Sequence, residues 1–250
     1  METTSRGHRI HYESWGSGPA LVLVCGSLQS LDHWHEAGIP QHFAASHRVI
    51  ALDPLGHGRS DKPHMANAYH EGDLPADVLA VLDAEGLDRA VLWGYSRGSR
   101  ISYLTAAAEP GRVSALVAGG AVPWRAGEAA PRYAGLAAAL RRSPNEFFDA
   151  IGVADVAARH YLIEHNDLDA VVAALEGSAE APADIDLAEV QCPTFVYFGS
   201  LEPWADRARG DAARIGARLH VVEGKDHGGT FLAGPEVIPL VDAFLREVHT

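Results

Sequence analysis

Three polar side chains at separate points of the chain have the types that nucleophilic catalysis requires. Ser96 lies in the pentapeptide Gly-Tyr-Ser-Arg-Gly, which follows an apolar run and precedes a segment with helical spacing. His227 stands in a glycine-rich stretch near the carboxyl end, and Glu202 follows the apolar segment 193–199. A serine hydroxyl is a weak nucleophile at neutral pH and needs a base such as histidine to accept its proton. A carboxylate that orients the imidazole completes such a set.

The glycines on either side of Ser96 suit a serine held on a sharp turn. A serine at a strained strand-to-helix turn leaves no room for a Cβ atom two residues away, which accounts for Gly94 and Gly98. The five-residue pattern alone is a weak signal. Its position after a buried strand strengthens it, because open α/β sheets place ligands at the carboxyl ends of their strands.

Alternating strand and helix signals predict the frame that brings these residues together. Residues 8–15 alternate in polarity and predict an opening strand. Short apolar runs typical of buried strands follow at 20–26, 47–53, 88–94, 113–120, 193–199 and 218–224. Helical spacing predicts helices at 74–86, 96–109 and 235–248. The alternation favours right-handed crossovers and therefore a mainly parallel sheet.

One internal segment departs from this alternation. Residues 124–189 are rich in alanine and helical in pattern, with no strand signal. Breaks in the helical pattern are predicted at Pro131, Pro144, Gly152 and Pro182. We interpret the segment as a helical cap inserted into an α/β core that consists of residues 1–123 and 190–250.

Charge and composition exclude several classes of partner. The 250 residues contain 20 lysines and arginines against 33 aspartates and glutamates, so the formal net charge is −13. Because that charge repels phosphate backbones and anionic lipid surfaces, we expect neither nucleic acid nor a membrane as partner. The two cysteines, Cys25 and Cys192, lie beside predicted strands and are interpreted as free buried thiols. Without a signal-peptide pattern we expect a cytoplasmic protein, and its oligomeric state stays open.

Histidine is abundant, which raises the possibility of a metal site. The chain has 14 histidines, but none of their spacings matches a zinc signature. These spacings include the pairs His8 and His11, His33 and His35, and His160 and His165. We therefore expect no metal and no cofactor.

Taken in order, five segments resemble the α/β-hydrolase family over nearly the whole chain. They read LVLVCG, ALDPLGHGRSDKP, GYSRGS, CPTFVYFGSLEP and GKDHGGTF. The resemblance implies a mostly parallel twisted sheet flanked by helices, with an inserted helical cap. It implies Ser96 as nucleophile and His227 as base, in the family's order of serine, acid and histidine. The acid position, where aspartate is usual, holds Glu202, and Asp206 is the alternative.

The family resemblance also indicates where an oxyanion would bind. Backbone N–H groups of Arg97, directly after the nucleophile, and of Ser27, in the loop after the first buried strand, are the expected donors. The family usually has His-Gly where this chain has Cys25-Gly26. Backbone donors do not depend on that side chain, although the bonds that brace the loop can differ. Cys25 is interpreted as a small buried residue.

Candidate pocket residues come from the oxyanion loop and from the cap. Leu28, Trp34 and Trp124 are the candidates, and for Trp34 packing alone is an equal alternative. Other cap aromatics are Tyr133, Phe147, Phe148 and Tyr161, which at helical spacing are more typical of the cap's own core. The Arg97 side chain either attracts an anionic substrate group or is neutralised by an acidic neighbour. In a chain this acidic we favour neutralisation.

These features predict a serine hydrolase that cleaves a small, largely apolar carboxylic ester or lactone through an acyl-enzyme on Ser96. Two alternatives stay open. One is carbon–carbon hydrolysis, lyase or acyl-transfer chemistry on the same scaffold, and the other is a binding protein with little or no turnover. Haloalkane dehalogenases and epoxide hydrolases resemble this fold but use an aspartate where Ser96 stands, so both are disfavoured.

Overall fold

The computed structural model describes residues 1–248, in which eight strands form one sheet. The strand order across the sheet is β1-β2-β4-β3-β5-β6-β7-β8. The six strands from β3 to β8 run parallel, and β2 pairs antiparallel with both β1 and β4. The strands are β1 (Glu2–Ser5), β2 (His8–Trp15), β3 (Ala20–Val24), β4 (Arg48–Leu52), β5 (Ala90–Tyr95), β6 (Val113–Gly119), β7 (Thr194–Gly199) and β8 (Arg218–Val222). The predicted mainly parallel sheet is confirmed.

Helices cover both faces of this sheet. The helices are α1 (Leu31–Glu36), α2 (Ile39–Phe43), α3 (Pro75–Ala84), α4 (Arg97–Ala108), α5 (Ala126–Arg142), α6 (Pro144–Ile151), α7 (Val156–Glu164), α8 (Leu168–Glu180), α9 (Ala205–Arg214), α10 (His227–Phe231) and α11 (Gly234–Val248). Short 3-10 helices lie at Ala66–Tyr69, Glu71–Asp73, Pro110–Arg112 and Leu187–Glu189. Apolar residues of α3 and α4 pack on one face, and those of α1, α2 and α11 pack on the other.

Burial on both faces explains the continuous apolar character of the central strands. Every residue of β3 and β5 is buried, and six of the seven residues of β6 are buried. Apolar area removed from water stabilises the fold by roughly 25 cal/mol per Å². This central sheet supplies the rigid edge from which the loops of the site project.

The helices α5 to α8 lie between β6 and β7 and have an apolar cluster of their own. Three of the predicted breaks are confirmed, since α6 begins at Pro144 and ends before Gly152, whose φ is 73°, and α8 ends at Glu180, just before Pro182. The predicted break at Pro131 is wrong, because α5 continues through it. Proline removes one hydrogen bond of the helix, and packing of neighbours such as Tyr133 and Leu136 in the cluster offsets that loss.

A buried ion pair joins α4 to the two ends of the inserted helical segment. Arg100 Nε and Nη2 lie 2.9 and 2.6 Å from the carboxylate oxygens of Glu71. The same guanidinium donates to the carbonyl oxygens of Trp124 and Ala183, and the Ala183 N–H donates to Glu71 at 2.8 Å. Both charged side chains are at least 98% buried, with exposures of 2% and 0%. The pair therefore sets where the cap helices leave and rejoin the core.

The cysteines, the histidine and acidic residues and the helix lengths also bear on the sequence predictions. Cys25 is buried and Cys192 half-buried, and both are free thiols. Within residues 1–248 no cluster of three or more histidine, cysteine, aspartate or glutamate side chains has the arrangement of a metal site. None of the helices in the same range combines the length and the hydropathy needed to cross a bilayer.

Candidate active site

Ser96 lies at the sharp turn between β5 and α4. Its backbone has φ 53° and ψ −119°, a region that residues other than glycine rarely adopt and that costs on the order of 1–3 kcal/mol. The Ser96 N–H donates to the Gly119 carbonyl at 2.8 Å. The Ser99 hydroxyl lies 2.8 Å from the carbonyl oxygens of both Gly94 and Gly119. These bonds hold the serine side chain above the carboxyl edge of the sheet.

Gly94 and Gly98 make this turn sterically possible. A Cβ atom on Gly98 would collide with the carbonyl group of Val24 in the neighbouring strand β3. A Cβ atom on Gly94 would collide with the backbone of Gly98. Contacts this close cannot be relieved by side-chain rotation, because the opposing atoms belong to the backbone. Both positions therefore require glycine, for the reason that the sequence suggested.

His227, the first residue of α10, faces the serine. Its Nε2 lies 3.0 Å from Ser96 Oγ, and its Nδ1 lies 2.9 Å from Glu202 Oε2. The imidazole is enclosed by the rings of Tyr95 and Trp204, with centroid distances of 5.1 and 5.2 Å. Its side chain is only 6% exposed. The three residues predicted from separate segments thus form one chain of hydrogen bonds.

Glu202 occupies the acid position in the loop after β7. Its side chain is fully buried, and its second carboxylate oxygen accepts the Gly199 N–H at 2.8 Å. A carboxylate at Nδ1 leaves Nε2 free to accept a proton from the serine hydroxyl. The alternative acid, Asp206, is exposed on α9, and within residues 1–248 the His227 ring bonds Glu202 and Ser96 instead.

The two backbone N–H groups predicted as oxyanion donors are unpaired in the described part of the chain. Arg97 is the first residue of α4, so its N–H has no partner inside the helix. Within residues 1–248 neither this N–H nor that of Ser27 donates to a protein acceptor. The loop after β3 lies against the nucleophile, since a Cβ atom on Gly26 would be 3.0 Å from Ser96 Cβ. Gln29 braces the loop, its Oε1 accepting the Gly26 N–H at 2.9 Å.

Cys25, which stands where the family usually has histidine, takes no part in this loop's bonding. Its thiol lies 3.7 Å from the Leu52 carbonyl oxygen in β4, within the core. Burial raises the pKa of this thiol well above its ordinary value, so it stays protonated at neutral pH. The structure therefore matches the interpretation of Cys25 as a small buried residue.

A cavity of about 720 Å³ opens above Ser96 and His227. This volume lies within the roughly 300–1,000 Å³ that small-molecule sites usually occupy. The cap aromatics line it together with aliphatic side chains, and the aromatic set comprises Trp124, Tyr133, Phe147, Phe148 and Tyr161. All of these except Tyr161, which is exposed, also belong to the cap's own apolar cluster. Of the predicted pocket residues, only Trp124 lies on the cavity wall.

The predictions of Leu28 and Trp34 as pocket residues are wrong. Leu28 is 1% exposed and packs into the apolar cluster of the cap helices. Trp34 is fully buried in the sheet's core, where its ring lies 5.2 Å from that of Phe231. On the same short helix, His33 reaches the cavity instead. The error is one of helical phase, because adjacent residues of a helix point about 100° apart.

The favoured neutralisation of Arg97 by an acidic neighbour is also wrong. Within residues 1–248 no carboxylate lies within ion-pair distance of its guanidinium, which donates to the Ser178 hydroxyl at 2.7 Å. The nearby carboxylate Glu71 is committed to Arg100. Arg97 is only 6% exposed and lines the cavity. It also lines a smaller cavity with Asp77 and Ile101, and within the described residues no ion pair neutralises its charge.

Two cavity residues, one cationic and one aromatic, were not predicted from the sequence. Arg132 on α5 lies with its guanidinium carbon 4.6 Å from the Trp204 ring centroid. Trp204 stands two residues after Glu202 and contacts His227. Nearness to the acid in sequence was a usable signal for Trp204. No local pattern distinguishes Arg132 from the arginines on the outer surface of the cap.

Comparisons with known proteins agree with the fold. A family model described as the alpha/beta hydrolase fold matches residues 19–162. Epoxide hydrolase B of Mycobacterium tuberculosis is 34% identical over 116 residues, which is 45% of this chain and 32% of that protein. Non-heme chloroperoxidase of Streptomyces lividans is 42% identical over 127 residues, or 48% of this chain and 44% of that protein. The matched segment thus spans less than half the length of either relative.

Solved structures match over the whole length. One described as "Est816 as an N-Acyl homoserine lactone degrading enzyme" has a TM-score of 0.75 at 26% identity and covers 98% of this chain and 100% of its own. The similarity therefore extends through the cap helices as well as the sheet.

Proposed function

Since this chain belongs to the α/β-hydrolase family, we propose that it is a serine hydrolase that cleaves small, largely apolar carboxylic esters or lactones. The proposal rests on one observation above all. Ser96 Oγ lies 3.0 Å from His227 Nε2, and His227 Nδ1 lies 2.9 Å from the buried carboxylate of Glu202. Nucleophile, base and orienting acid within hydrogen-bond distance of one another are what acyl transfer through a serine requires.

In the first half of the reaction, Ser96 Oγ attacks the acyl carbon of the substrate while His227 Nε2 accepts the hydroxyl proton. The carbonyl oxygen becomes an oxyanion, for which the N–H groups of Arg97 and Ser27 are the available donors. When the tetrahedral intermediate collapses, the bond to the alcohol oxygen breaks. That oxygen takes the proton from His227, which leaves an acyl-enzyme on Ser96.

In the second half, a water molecule enters from the cavity and gives a proton to His227 Nε2. Its oxygen attacks the acyl carbon, and the same two N–H groups stabilise the second oxyanion. Collapse returns the proton to Ser96 Oγ and releases a carboxylic acid. Glu202 stabilises the imidazolium in both halves without itself taking the proton.

The identity of the nucleophile favours ester cleavage over epoxide opening. Attack of a serine oxygen on an epoxide carbon would form an ether, which has no acyl carbon for water to attack. A serine ester, in contrast, is hydrolysed by the same histidine that formed it. The relative named as an epoxide hydrolase therefore supports a hydrolase scaffold for this chain without supplying its substrate. The match to a lactone-degrading enzyme supports including lactones in the substrate class.

Active-site labelling tests the proposal directly. Wild type, Ser96→Ala and Ser114→Ala are treated with a fluorophosphonate probe and assayed on short 4-nitrophenyl esters. Ser114 is a partly buried serine at the start of β6 and serves as the matched control. We expect labelling and turnover of wild type and Ser114→Ala, and neither in Ser96→Ala. Equal labelling of all three proteins would contradict the proposal.

Hydrolysis is separated from other chemistry on this scaffold by the fate of oxygen. Turnover of an ester in ¹⁸O-enriched water should place one labelled oxygen in the carboxylic acid product, because water resolves the acyl-enzyme. An acyl transferase would instead pass the acyl group to an added alcohol without such labelling. A binding protein would yield no product.

A further inference from the structure

The cavity has a surplus of positive charge on the side that faces the cap. Three arginines line it: Arg97, Arg100 and Arg132. Glu71 neutralises Arg100 through a buried pair. Within residues 1–248, Arg97 and Arg132 form no ion pair with any carboxylate. Two arginines without an ion pair in that range thus line one cavity in a protein whose formal net charge is −13.

Arg132 is held in place by aromatic rings instead of hydrogen bonds. Its guanidinium carbon lies 4.6 Å from the Trp204 ring centroid and 5.3 Å from that of Trp124. Within the described residues it donates no side-chain hydrogen bond, so its N–H groups stay available to a ligand. Burial lowers the pKa of this arginine from its ordinary value. A bound anion would offset that cost of desolvation.

Both arginines are positioned close to the reacting groups. Arg97 is the residue after Ser96, and the Trp204 ring that supports Arg132 also contacts the His227 imidazole at 5.2 Å. The pKa of the buried Tyr133 phenol is affected by both arginines. Burial raises its pKa, while the charges of Arg97 and Arg132 both act to lower it. Both guanidinium groups are therefore within electrostatic range of one hydroxyl on the cavity wall.

The carboxylates that line the cavity do not cancel this charge. Glu36 and Asp155 are exposed to solvent. Asp226 accepts the N–H groups of Gly229 and Ala154 at 2.7 and 3.0 Å, so it caps α10 and joins it to the segment between α6 and α7. None of the three lies within 4 Å of either arginine. The cap-facing side of the cavity is therefore electropositive between mainly apolar walls.

We propose that the substrate carries an anionic group, a carboxylate in the first instance, which Arg97 and Arg132 bind on the cap-facing side while its ester or lactone group lies at Ser96. This inference rests on the proposed function and narrows its substrate class. The planar guanidinium groups match a carboxylate in geometry and charge. The apolar walls then hold the carbon skeleton between the anionic group and the ester.

Paired substrates measure this preference. One pair is mono-4-nitrophenyl glutarate and its methyl ester, with the acid in the acyl part. The other is 4-acetoxybenzoate and its methyl ester, with the acid in the leaving group. In at least one pair kcat/KM should favour the anionic member by about tenfold or more, the size of one charge-assisted hydrogen bond. Equal rates within both pairs would overturn the inference and leave the proposed function intact.

Arg132→Gln tests the assigned residue, with Arg209→Gln as matched control. Arg209 also stacks on an aromatic ring, 5.6 Å from the Phe198 centroid, but it is exposed and outside the cavity. Both variants lower the net charge by one. The ratio of kcat/KM for the anionic ester to that for its methyl ester should fall about tenfold in Arg132→Gln and stay within about twofold in Arg209→Gln. Similar ratios in the two variants would contradict the assignment.

Binding to Ser96→Ala decides the inference even if no ester is turned over. Calorimetric titration compares monomethyl glutarate, an anion, with neutral dimethyl glutarate. Tighter binding of the anion, weakened about tenfold by adding Arg132→Gln, supports the inference. Equal binding of the two compounds, or binding that Arg132→Gln leaves unchanged, overturns it. Failure of the proposed function would appear separately, as absence of labelling at Ser96 in the wild type.

Discussion

The two walls of the cavity are built on different physical principles. The sheet wall comprises Ser96, Glu202, His227 and the loop at Ser27, and backbone bonds and buried hydrogen bonds fix its polar side chains. The cap wall comprises the cavity-facing residues of α5 to α8, which include Arg132 and otherwise pack mainly through apolar contacts. On the proposed function, the sheet wall performs the chemistry and the cap wall selects the substrate. Substitutions on the two walls should therefore differ in kind as well as in size.

The largest effect is expected on the sheet wall, from Glu202→Gln. The amide keeps the shape of the carboxylate but cannot stabilise the imidazolium, so we expect kcat to fall by about 10⁴-fold, as for the corresponding change in other triads. Thermal unfolding should show that the fold persists. Steady-state kinetics on a 4-nitrophenyl ester measures the loss.

Asp206→Asn is the control for this prediction. Asp206 is exposed at the start of α9, in the same loop region as Glu202 but away from the imidazole. We expect near-normal turnover in that variant. A large loss in Asp206→Asn together with a small one in Glu202→Gln would move the acid to the surface residue and contradict the geometry.

The same contrast decides what could be predicted from the sequence. Ser96, Gly94 and Gly98 follow from the chemistry of one turn, since the turn excludes every side chain but hydrogen at its flanks. His227 and Glu202 were predicted from the resemblance to the α/β-hydrolase family, and the parallel strands bring their loops to the same edge of the sheet.

Residues of the cap wall and of the short helices could not be predicted in this way. Trp34 was predicted at the cavity, but the structure has His33 there, one position earlier. A six-residue helix is too short for its sequence to reveal which face is buried. Among the described residues Arg97 has no acidic partner because Glu71, 26 positions earlier, pairs with Arg100 instead. Tertiary packing decides which carboxylate each arginine contacts. The helices α1, α2 and α9 were missed for the related reason that their patterns are short or largely polar.

The next largest effect is expected where the two walls meet, from Arg100→Met. The substitution leaves Glu71 buried without its cation, and breaking a buried pair usually costs about 3–5 kcal/mol. For a chain of this size that cost corresponds to a fall in Tm of roughly 10 °C. Because Arg100 also holds Trp124 and Ala183, cavity-facing cap residues should become accessible to proteolysis. Differential scanning calorimetry measures the shift.

Arg141→Gln is the matched control, because it removes an arginine–glutamate pair between two cap helices. Arg141 and Glu176 are 57% and 35% exposed, so solvent already screens their attraction. We expect less than about 1 kcal/mol of destabilisation. Equal losses in the two variants would show that burial does not decide the worth of these pairs.

A pH effect of intermediate size is expected beneath the sheet wall, at His57. Burial, and to a smaller extent the charge of Arg97, lower the pKa of His57 from 6.5 to about 4. Between pH 6.5 and pH 4 the His57 imidazole is therefore protonated in the unfolded chain but neutral in the folded chain. Stability should fall as the pH drops through this window, by about 3 kcal/mol from this residue.

Urea unfolding of wild type and His57→Asn at pH 7 and pH 4 isolates that contribution. Asparagine retains a donor for the Leu55 carbonyl, which lies 3.2 Å from His57 Nδ1, but it does not titrate. The difference in unfolding free energy between the two pH values should be about 3 kcal/mol smaller in the variant. The same pH dependence in both proteins would show that His57 is not held neutral.

The smallest effect is expected at the solvent edge of the cap wall, from Tyr161→Ala. Tyr161 is 39% exposed, lines the cavity and stacks on His165 with a centroid distance of 4.1 Å. Its loss removes one aromatic contact with an aryl ester, worth about 0.5–1 kcal/mol. KM should rise about threefold while kcat stays unchanged, because the contact is equal in ground and transition states.

Met65→Ala, at an exposed apolar residue away from the cavity, is the control and should leave KM unchanged. A fall in kcat in Tyr161→Ala would mean instead that the cap wall takes part in the chemistry, and the division between the two walls would not hold.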